Sequence, residues 1–331
     1  MHPIRVALVQ LHWPGSRPPL LDQYRRLVTE AADRGAALVC LPELSISPYF
    51  PGRRDRAGFD WAEPLPGGPS DKFFGELARE NRVMLVGSLF EQIADGHSYD
   101  TATIHNPYGN LIYSTRKVHI PSGVGYHETE FFEAGVEYPV HDLGALKLAV
   151  PTCYDQWFPE MARICALNGA EFIFYPTAIG SEPTDPDFDS KDAWQTVMRG
   201  HAAANGVFIA AANRTGREND VTFYGSSFIC DPTGKILAQA GRDSTEVIVA
   251  DLDPQILEHY RDLFPLLQRR QPGLMAASPT PSTACRLNTD TITPDIHATP
   301  RCFAAYLYCR TTIVRTTGTG YYSARSPRSL R

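Results

Sequence analysis

Short apolar runs alternate with amphipathic stretches along the first half of the chain. Residues Ile4–Gln10, 37–41 and 83–88 are apolar enough to predict strands buried within a sheet. Apolar residues recur at helical spacing over residues 19–34, and a second helix is predicted over residues 70–81, with its first serine as the N-cap. Strands that alternate with helices in this way predict a layered α/β domain.

Beyond residue 98 the chain continues the pattern with shorter elements. Residues 99–106 and 111–115 flank a Pro-Tyr-Gly-Asn turn sequence and predict a hairpin. A long helix is predicted over residues 189–205. The remaining apolar runs predict short strands and one helix, at residues 171–175, 207–212, 223–230, 235–239, 246–251 and 254–263.

Beyond Met275 the periodic pattern stops. Residues 276–331 contain eleven Thr, three of the seven Cys and seven Arg, with two Asp and neither Lys nor Glu. A helical or strand period of any length is missing from this stretch. The sequence therefore predicts one folded domain over residues 1–275 and an atypical, poorly ordered C-terminal extension over residues 276–331.

Composition and charge narrow the class of protein. At 331 residues, 43% hydrophobic and 21% charged, the chain is typical of a soluble globular protein. The extension carries a net charge of +5 against a chain total of −6, so residues 1–275 carry −11. This acidic body argues against a nucleic-acid partner and favours a neutral or cationic substrate. Gly-rich phosphate loops and metal-hydrolase motifs are absent from the sequence.

Targeting signals and disulfides are not expected. No stretch reaches about 18 uncharged apolar residues, and the chain begins with a strand-like run, so neither a membrane span nor a secretory leader is predicted. Seven cysteines are an odd number, and Cys40, Cys165 and Cys230 are predicted to be core residues. The expected location is the cytoplasm, without a membrane partner.

Three residues with useful chemistry follow predicted strands. Glu43 follows the second strand, Lys117 follows the hairpin, and Cys153 stands at a sharp turn between an apolar run and a helical pattern. Taken singly, each has an ordinary interpretation as a solvated loop acid, a surface lysine or a buried structural thiol. Because strand ends gather at one edge of an α/β sheet, the three are candidates for a common site.

Together these groups suit acyl transfer through a cysteine. A thiol near the positive end of a helix is expected to have a lowered pKa, which makes the Cys153 thiolate available as a nucleophile. Glu43 can take the thiol proton and later activate water. Lys117 can hold the negative charge that develops on a carbonyl oxygen.

The sequence resembles the nitrilase superfamily of carbon–nitrogen hydrolases. The segments that match its three signature segments, in the same order, are 41–43, 116–121 and 153–160. A narrower resemblance to the N-carbamoylputrescine amidohydrolase branch rests on residues 153–160, 175–183, 194–202 with Asn205, and 222–228. The match covers roughly residues 3–275. It weakens after Tyr260, and the extension matches nothing in the superfamily.

The resemblance implies a four-layer αββα sandwich that pairs into homodimers or larger homo-oligomers across its helical layer. It implies that Glu43 is the general base, Lys117 the oxyanion-stabilising residue and Cys153 the nucleophile. Glu128 matches a second glutamate that positions the substrate or the lysine, and the backbone N–H of Tyr154 completes the oxyanion hole. Neither a metal nor an organic cofactor is expected.

The implied reaction is hydrolysis of the ureido C–N bond of N-carbamoylputrescine to putrescine, carbon dioxide and ammonia, in polyamine biosynthesis. Carbamoyl amino acids need a cation just after the cysteine, and Asp155 and Gln156 stand there instead. The substrate ammonium needs a carboxylate, for which Asp155, Glu182, Asp187 and Asp189 are unranked candidates. Each of these acids has the alternative interpretation of a solvated loop residue.

Other interpretations remain open at this level. His119 and His201 are candidates for support of the site or for structural histidines. The alternative functions are another amidase of the superfamily, acting on an ω-amide or a different carbamoyl amine, and a non-catalytic scaffold whose sandwich mediates assembly.

Overall fold

The computed structural model describes residues 2–275. The extension predicted over residues 276–331 lies outside the described residues, and the boundary at residue 275 stays a prediction. One compact unit extends to Gln271. The described part of the unit that follows it is a single short helix.

The elements follow the predicted alternation closely. The strands are Ile4–Gln10 (β1), Leu38–Cys40 (β2), Met84–Gln92 (β3), Ser98–His105 (β4), Leu111–Arg116 (β5), His141–Asp142 (β6), Lys147–Ala149 (β7), Phe172–Thr177 (β8), Phe208–Asn213 (β9), Thr215–Glu218 (β10), Val221–Tyr224 (β11), Phe228–Cys230 (β12), Ile236–Gln239 (β13) and Glu246–Leu252 (β14). The helices are Arg17–Asp33 (α1), Pro69–Asn81 (α2), Pro159–Leu167 (α3), Lys191–Asn205 (α4), Pro254–Leu263 (α5) and Pro272–Met275 (α6).

Two six-stranded sheets form the centre of the fold. The first has the order β14-β1-β2-β3-β4-β5, and the second has the order β13-β12-β9-β8-β7-β6. β1, β2 and β3 run parallel because α1 and α2 return the chain to the same end of the sheet, and Val39 pairs with both Ala7 and Leu85. β7, β8 and β9 are parallel in the same way. The carboxyl ends of these strands are therefore gathered at one edge of each sheet.

The period of two along each strand divides the core into layers. In β2, Leu38 and Cys40 face the second sheet, whereas Val39 faces α1 and α2. The cluster between the sheets includes Val6, Leu8, Val86, Ile104, Leu148, Phe172, Phe174, Phe208 and Ile229. Burial of each large side chain contributes about 1.5–3 kcal/mol.

The outer faces of both sheets are covered by helices. Leu20, Tyr24 and Leu27 of α1 and Phe73, Phe74 and Leu77 of α2 pack on the first sheet. Met161 of α3 and Trp194 and Met198 of α4 pack on the second. The predicted αββα sandwich is confirmed. Cys40, Cys165 and Cys230 are buried, as predicted. The pairing of this fold into homo-oligomers stays a prediction.

Two local predictions are wrong. α2 begins at Pro69 with Gly68 as its N-cap, and the backbone N–H of Ser70 donates to the carboxylate of Glu63 at 2.7 Å. The apolar run 223–230 is two strands, because Gly225 and Ser226 adopt positive φ angles of 52° and 58°. β11 therefore closes a hairpin with β10, and β12 joins the second sheet. Within the part of the chain that is described, no helix has the length and apolar character needed to cross a membrane.

Candidate active site

Glu43 and Lys117 lie together in the protein interior, beyond the ends of two strands of the first sheet. Glu43 follows β2 and Lys117 follows β5, and both side chains are fully buried. The ammonium Nζ of Lys117 donates to Oε1 of Glu43 at 2.7 Å. The two residues are 74 positions apart in sequence, so their contact depends on the order of strands in the sheet.

Glu128 completes the surroundings of the lysine. A 3₁₀ turn, Glu128–Glu130, places its buried carboxylate against Lys117, whose Nζ donates to Oε2. The hydroxyl of Tyr49 donates to Oε1 of the same carboxylate at 2.7 Å. Both carboxylate oxygens of Glu128 are therefore hydrogen-bonded, and its role in positioning the substrate or the lysine stays a prediction.

Asp100 is an acid of the site that the sequence analysis missed. Its Oδ2 lies 3.6 Å from Nζ of Lys117, and its Oδ1 accepts a hydrogen bond from Ser88 at 2.9 Å. The signal was available in the hairpin register. Thr101 pairs with Arg116, and the N–H of Lys117 donates to the carbonyl of Asp100 at 2.9 Å, so the two residues are neighbours across the strands.

The electrostatics of this cluster follow from burial and crowding. Burial, followed by the charges of Glu128 and Asp100, raises the pKa of Glu43 well above its usual value, although Lys117 opposes the shift. Burial lowers the pKa of Lys117, but the charges of Glu128 and Glu43 more than offset this, so its pKa is raised. Oxygens of Glu43, Asp100 and Glu128 lie within 4.8 Å of one another, as in a cation site. The Lys117 ammonium supplies that cation.

Cys153 stands at a strained turn after β7. Its φ is 43°, a left-handed conformation that costs a non-glycine residue about 1–3 kcal/mol. A 3₁₀ turn, Cys153–Trp157, separates the thiol from α3. The thiol donates to the carbonyl of Ala178 with an Sγ–O distance of 3.7 Å.

The expected lowering of the Cys153 pKa is wrong. Burial raises the pKa of this thiol well above its usual value, and the charge of Glu43 raises it further, against the opposing charge of Lys117. Because α3 begins only at Pro159, its positive end is not directly under the sulfur. A thiol in this environment is protonated at rest and needs a base to become a nucleophile.

Asp155 joins the lysine segment to the cysteine turn. Its fully buried carboxylate accepts from the backbone N–H of Thr152 at 3.0 Å and from that of His119 at 2.8 Å. It also contacts the Nδ1 of His119 at 2.7 Å, and the His119 ring stacks on Phe158 at a centroid distance of 3.7 Å. Asp155 is therefore unsuited to bind a substrate ammonium, and His119 lies outside the cavity lining.

A cavity of about 540 Å³ gives access to the thiol, a size typical of small-molecule sites. Glu128 and Cys153 line its buried end, and the half-buried Glu182 lies in its wall. The rest of the lining is Pro121, Ser122, Gly123, Val124, Tyr126, Tyr154, Trp157, Ala178, Ile179 and Thr184. Within residues 2–275, no Lys, Arg or His is among these lining side chains.

The structure distinguishes among the remaining sequence candidates. Burial raises the pKa of Glu182, and the nearby charge of Asp185 adds to the shift. Asp187 is exposed and outside the lining, and Asp189 forms an ion pair with Arg242 at 2.9 Å. His201 is buried on α4 and does not line the cavity either.

This fold and donor set define a class of protein. A thiol that opens on a cavity, with a carboxylate and an ammonium buried beside it, can attack an amide-type carbonyl and stabilise the resulting oxyanion. An αββα domain that carries this set has the arrangement of a hydrolase of carbon–nitrogen bonds.

Comparison with known sequences assigns the chain to a family. The pattern of the Carbon-nitrogen hydrolase family matches residues 5–262, and the chain belongs to this family. The proteins similar to it include amidases, so the chain is a hydrolase that acts on amides. The predicted membership of the nitrilase superfamily is confirmed.

The similar proteins agree with this assignment. A citrullinase of Francisella tularensis is 40% identical over 82% of this chain and 96% of its own length. An N-carbamoylputrescine amidase of Solanum lycopersicum is 40% identical over 75% of this chain and 86% of its own length. An omega-amidase of Mus musculus is 30% identical over 83% of this chain and 97% of its own length. The crystal structure of a carbon–nitrogen hydrolase from Helicobacter pylori, 33% identical, superposes with a TM-score of 0.78 over 83% of this chain and 98% of that one.

Proposed function

We propose that this protein hydrolyses the ureido C–N bond of N-carbamoylputrescine, giving putrescine, carbon dioxide and ammonia. The observation that carries the proposal is the charge of the cavity. Glu182 offers a carboxylate in its wall, and among the described residues no cationic side chain lines it. A ureido compound with an ammonium at its other end fits this charge pattern, and relatives that are N-carbamoylputrescine amidases support the choice.

The first half of the proposed reaction acylates the thiol. Glu43 takes the Cys153 proton, and the thiolate attacks the ureido carbonyl carbon. The Lys117 ammonium and the backbone N–H of Tyr154 stabilise the tetrahedral oxyanion. Glu43 returns the proton to the terminal nitrogen, the C–N bond breaks, and ammonia leaves an alkylcarbamoyl thioester on Cys153.

The second half releases the amine. Glu43 removes a proton from water, and the hydroxide attacks the thioester carbonyl, where the same two donors hold the oxyanion. The C–S bond breaks and the thiolate recovers a proton from Glu43. The carbamate product then loses carbon dioxide to give the free amine. Because the resting thiol is protonated, the reaction depends on a base at the position of Glu43.

The other end of the substrate determines which amine is accepted. Tyr126, Tyr154 and Trp157 line the cavity with aromatic surface, which suits a chain of methylene groups and attracts an ammonium. Glu182 supplies the opposite charge. We propose that its carboxylate pairs with the substrate ammonium, because the other predicted acids lie outside the cavity lining.

Glu182→Gln should raise KM for N-carbamoylputrescine by about 10–100-fold with little change in kcat, since a hydrogen bond to a charged group contributes about 1.5–3 kcal/mol. Hydrolysis of the uncharged analogue butylurea should be unaffected by the substitution. Asp187→Asn, a change of an exposed acid outside the cavity lining, is the matched control. An unchanged KM, or equal losses with both substrates, would show that Glu182 does not bind the ammonium.

Citrulline is the second candidate substrate, because a citrullinase is among the similar proteins. Citrulline has the same ureido end, but its far end adds a carboxylate. The citrulline carboxylate would have to lie near the Glu182 carboxylate, and among the described residues no cationic side chain of the lining could neutralise it. The charge of the cavity therefore favours the decarboxylated compound.

Ammonia release from four substrates tests the proposal: N-carbamoylputrescine, citrulline, N-carbamoyl-β-alanine and glutamine, with Cys153→Ser as the control. We expect the highest kcat/KM with N-carbamoylputrescine and no ammonia release from any substrate in Cys153→Ser. A preference for citrulline would make citrulline the proposed substrate and leave the proposed reaction at the thiol unchanged. Activity with glutamine alone would favour the ω-amide alternative.

A further inference from the structure

Two buried carboxylate oxygens of the site have no hydrogen-bond partner among the described residues. They are Oε2 of Glu43 and Oδ2 of Asp100. Both side chains are fully buried, and Oδ2 of Asp100 lies 3.6 Å from Nζ of Lys117, beyond hydrogen-bond distance. An oxygen without a hydrogen bond at either position is therefore costly. The other oxygen of each carboxylate is occupied, by Lys117 and by Ser88 respectively.

The charges of the cluster do not balance if every group is ionised. Glu43, Asp100 and Glu128 would carry three negative charges against the single positive charge of Lys117. Such an excess in a site sheltered from water is unfavourable, and one additional proton reduces it. Glu128 has both oxygens hydrogen-bonded by Lys117 and Tyr49, so it is the least suitable place for that proton.

We propose that Asp100 is a positioning residue that shares one proton with Glu43, in a hydrogen bond between Oδ2 of Asp100 and Oε2 of Glu43. One proton provides a partner for both unpaired oxygens and lowers the excess charge around Lys117. Oxygens of the two carboxylates lie within 4.8 Å of each other. Burial, followed by the charges of Glu128 and Asp100, raises the pKa of Glu43, which agrees with a proton held by the pair. The proposal rests on the role proposed above for Glu43 as the base.

The shared proton has a defined role in the reaction. While it resides on Asp100, Glu43 is an ionised carboxylate whose Oε2 accepts a hydrogen bond and whose Oε1 faces Lys117. Glu43 can then accept the thiol proton, and the proton of the pair stays on Asp100. The carboxyl of Asp100 thus keeps the base ionised and oriented without contacting the substrate.

The pair also sets an upper pH limit for activity. The charged and titratable groups that face it are Lys117, Glu128 and Cys153, with Tyr49 behind Glu128. When the pair loses its proton, three carboxylates surround the lysine, and the oxyanion adds a further negative charge. Activity is therefore present below the pH at which the pair ionises and is lost above it.

Asp100→Asn tests the proposal, because the asparagine amide donates the same hydrogen bond to Glu43 but has no proton to lose. We expect kcat at neutral pH within about tenfold of the wild type, the effect of altering one hydrogen bond. The alkaline limb of kcat/KM should move to higher pH. Asp100→Ala, which removes the donor, should lower kcat by about 10²-fold with little change in KM. Glu63→Gln, a buried acid outside the site, should retain the wild-type profile.

Two measurements that need no substrate separate this proposal from the proposed function. Infrared spectroscopy of the wild type should show the C=O band of a protonated carboxylic acid that disappears at high pH. The band should be lost in Asp100→Asn and kept in Glu63→Gln. In Asp100→Asn, the pH profile of Cys153 alkylation by iodoacetamide should also lose the ionisation that the wild-type band reports. A wild type without a titrating band would overturn the proposal even if a variant failed to fold. An Asp100→Asn variant whose kcat/KM profile is not shifted, or whose kcat falls as far as that of Asp100→Ala, would overturn it too.

Discussion

Replacing Cys153 with alanine is expected to abolish amide hydrolysis, with kcat lowered by about 10⁶-fold, the loss that follows removal of a nucleophile from an enzyme whose catalytic groups act as a unit. The thiol lies at the buried end of the cavity. Without it, the acyl intermediate cannot form. Ammonia release under substrate saturation measures the effect, and mass spectrometry of the wild type during turnover should show a covalent adduct on Cys153.

Cys165→Ala is the matched control for this experiment. Cys165 is a buried cysteine of α3 that does not line the cavity. Its replacement should leave kcat near the wild-type value. Residual activity in Cys153→Ala within 100-fold of the wild type, or an adduct on a different residue, would remove Cys153 from the proposed mechanism.

Lys117→Ala is expected to damage both activity and stability. Loss of one oxyanion donor typically lowers kcat by about 10²–10³-fold. The same substitution leaves Glu43, Glu128 and Asp100 crowded in a buried site without their cation. Breaking a buried ion pair from one side costs about 3–5 kcal/mol, so the free energy of unfolding should fall by about this amount.

Denaturant unfolding at several pH values separates the two effects. In the variant, loss of the ammonium raises the pKa of Glu43 and of Glu128 further above their usual values in the folded state. Stability is then present at low pH and lost as pH rises through those pKa values, so acidification should restore part of the loss. Lys117→Met, which fills more of the volume of the lysine side chain than alanine does, is the comparison variant. An unchanged free energy of unfolding at neutral pH would contradict the view that the ammonium holds the carboxylates together.

The positions of Glu43, Lys117 and Cys153 at strand ends were readable from the sequence. Apolar runs and one hairpin sequence define the strands β2, β7 and β5, and each of the three residues follows the end of its strand within four positions. α5 was predicted with the observed bounds, and in the structure the carboxylate of Asp253 caps it by accepting from the backbone N–H of Gln255 at 2.9 Å. Glu128 was identified only through the resemblance, since the loop that carries it has no periodic pattern.

Features that depend on three-dimensional packing were not readable in the same way. Asp155 reads as an acid beside the nucleophile, yet its backbone partners turn it into the core. The pKa of Cys153 depends on burial and on Glu43, and neither is visible in the turn sequence. The break at Gly225 lies within an apolar run, where only the backbone conformation reveals it.

The groups of the site are divided between the two sheets. Glu43, Asp100 and Lys117 belong to the first, and Cys153 follows a strand of the second. During folding, therefore, a chain that has completed either sheet alone has a base without a nucleophile or a thiol without a base. The base and the nucleophile meet only when the interlayer core closes, so amide hydrolysis begins only after the two sheets have packed against each other.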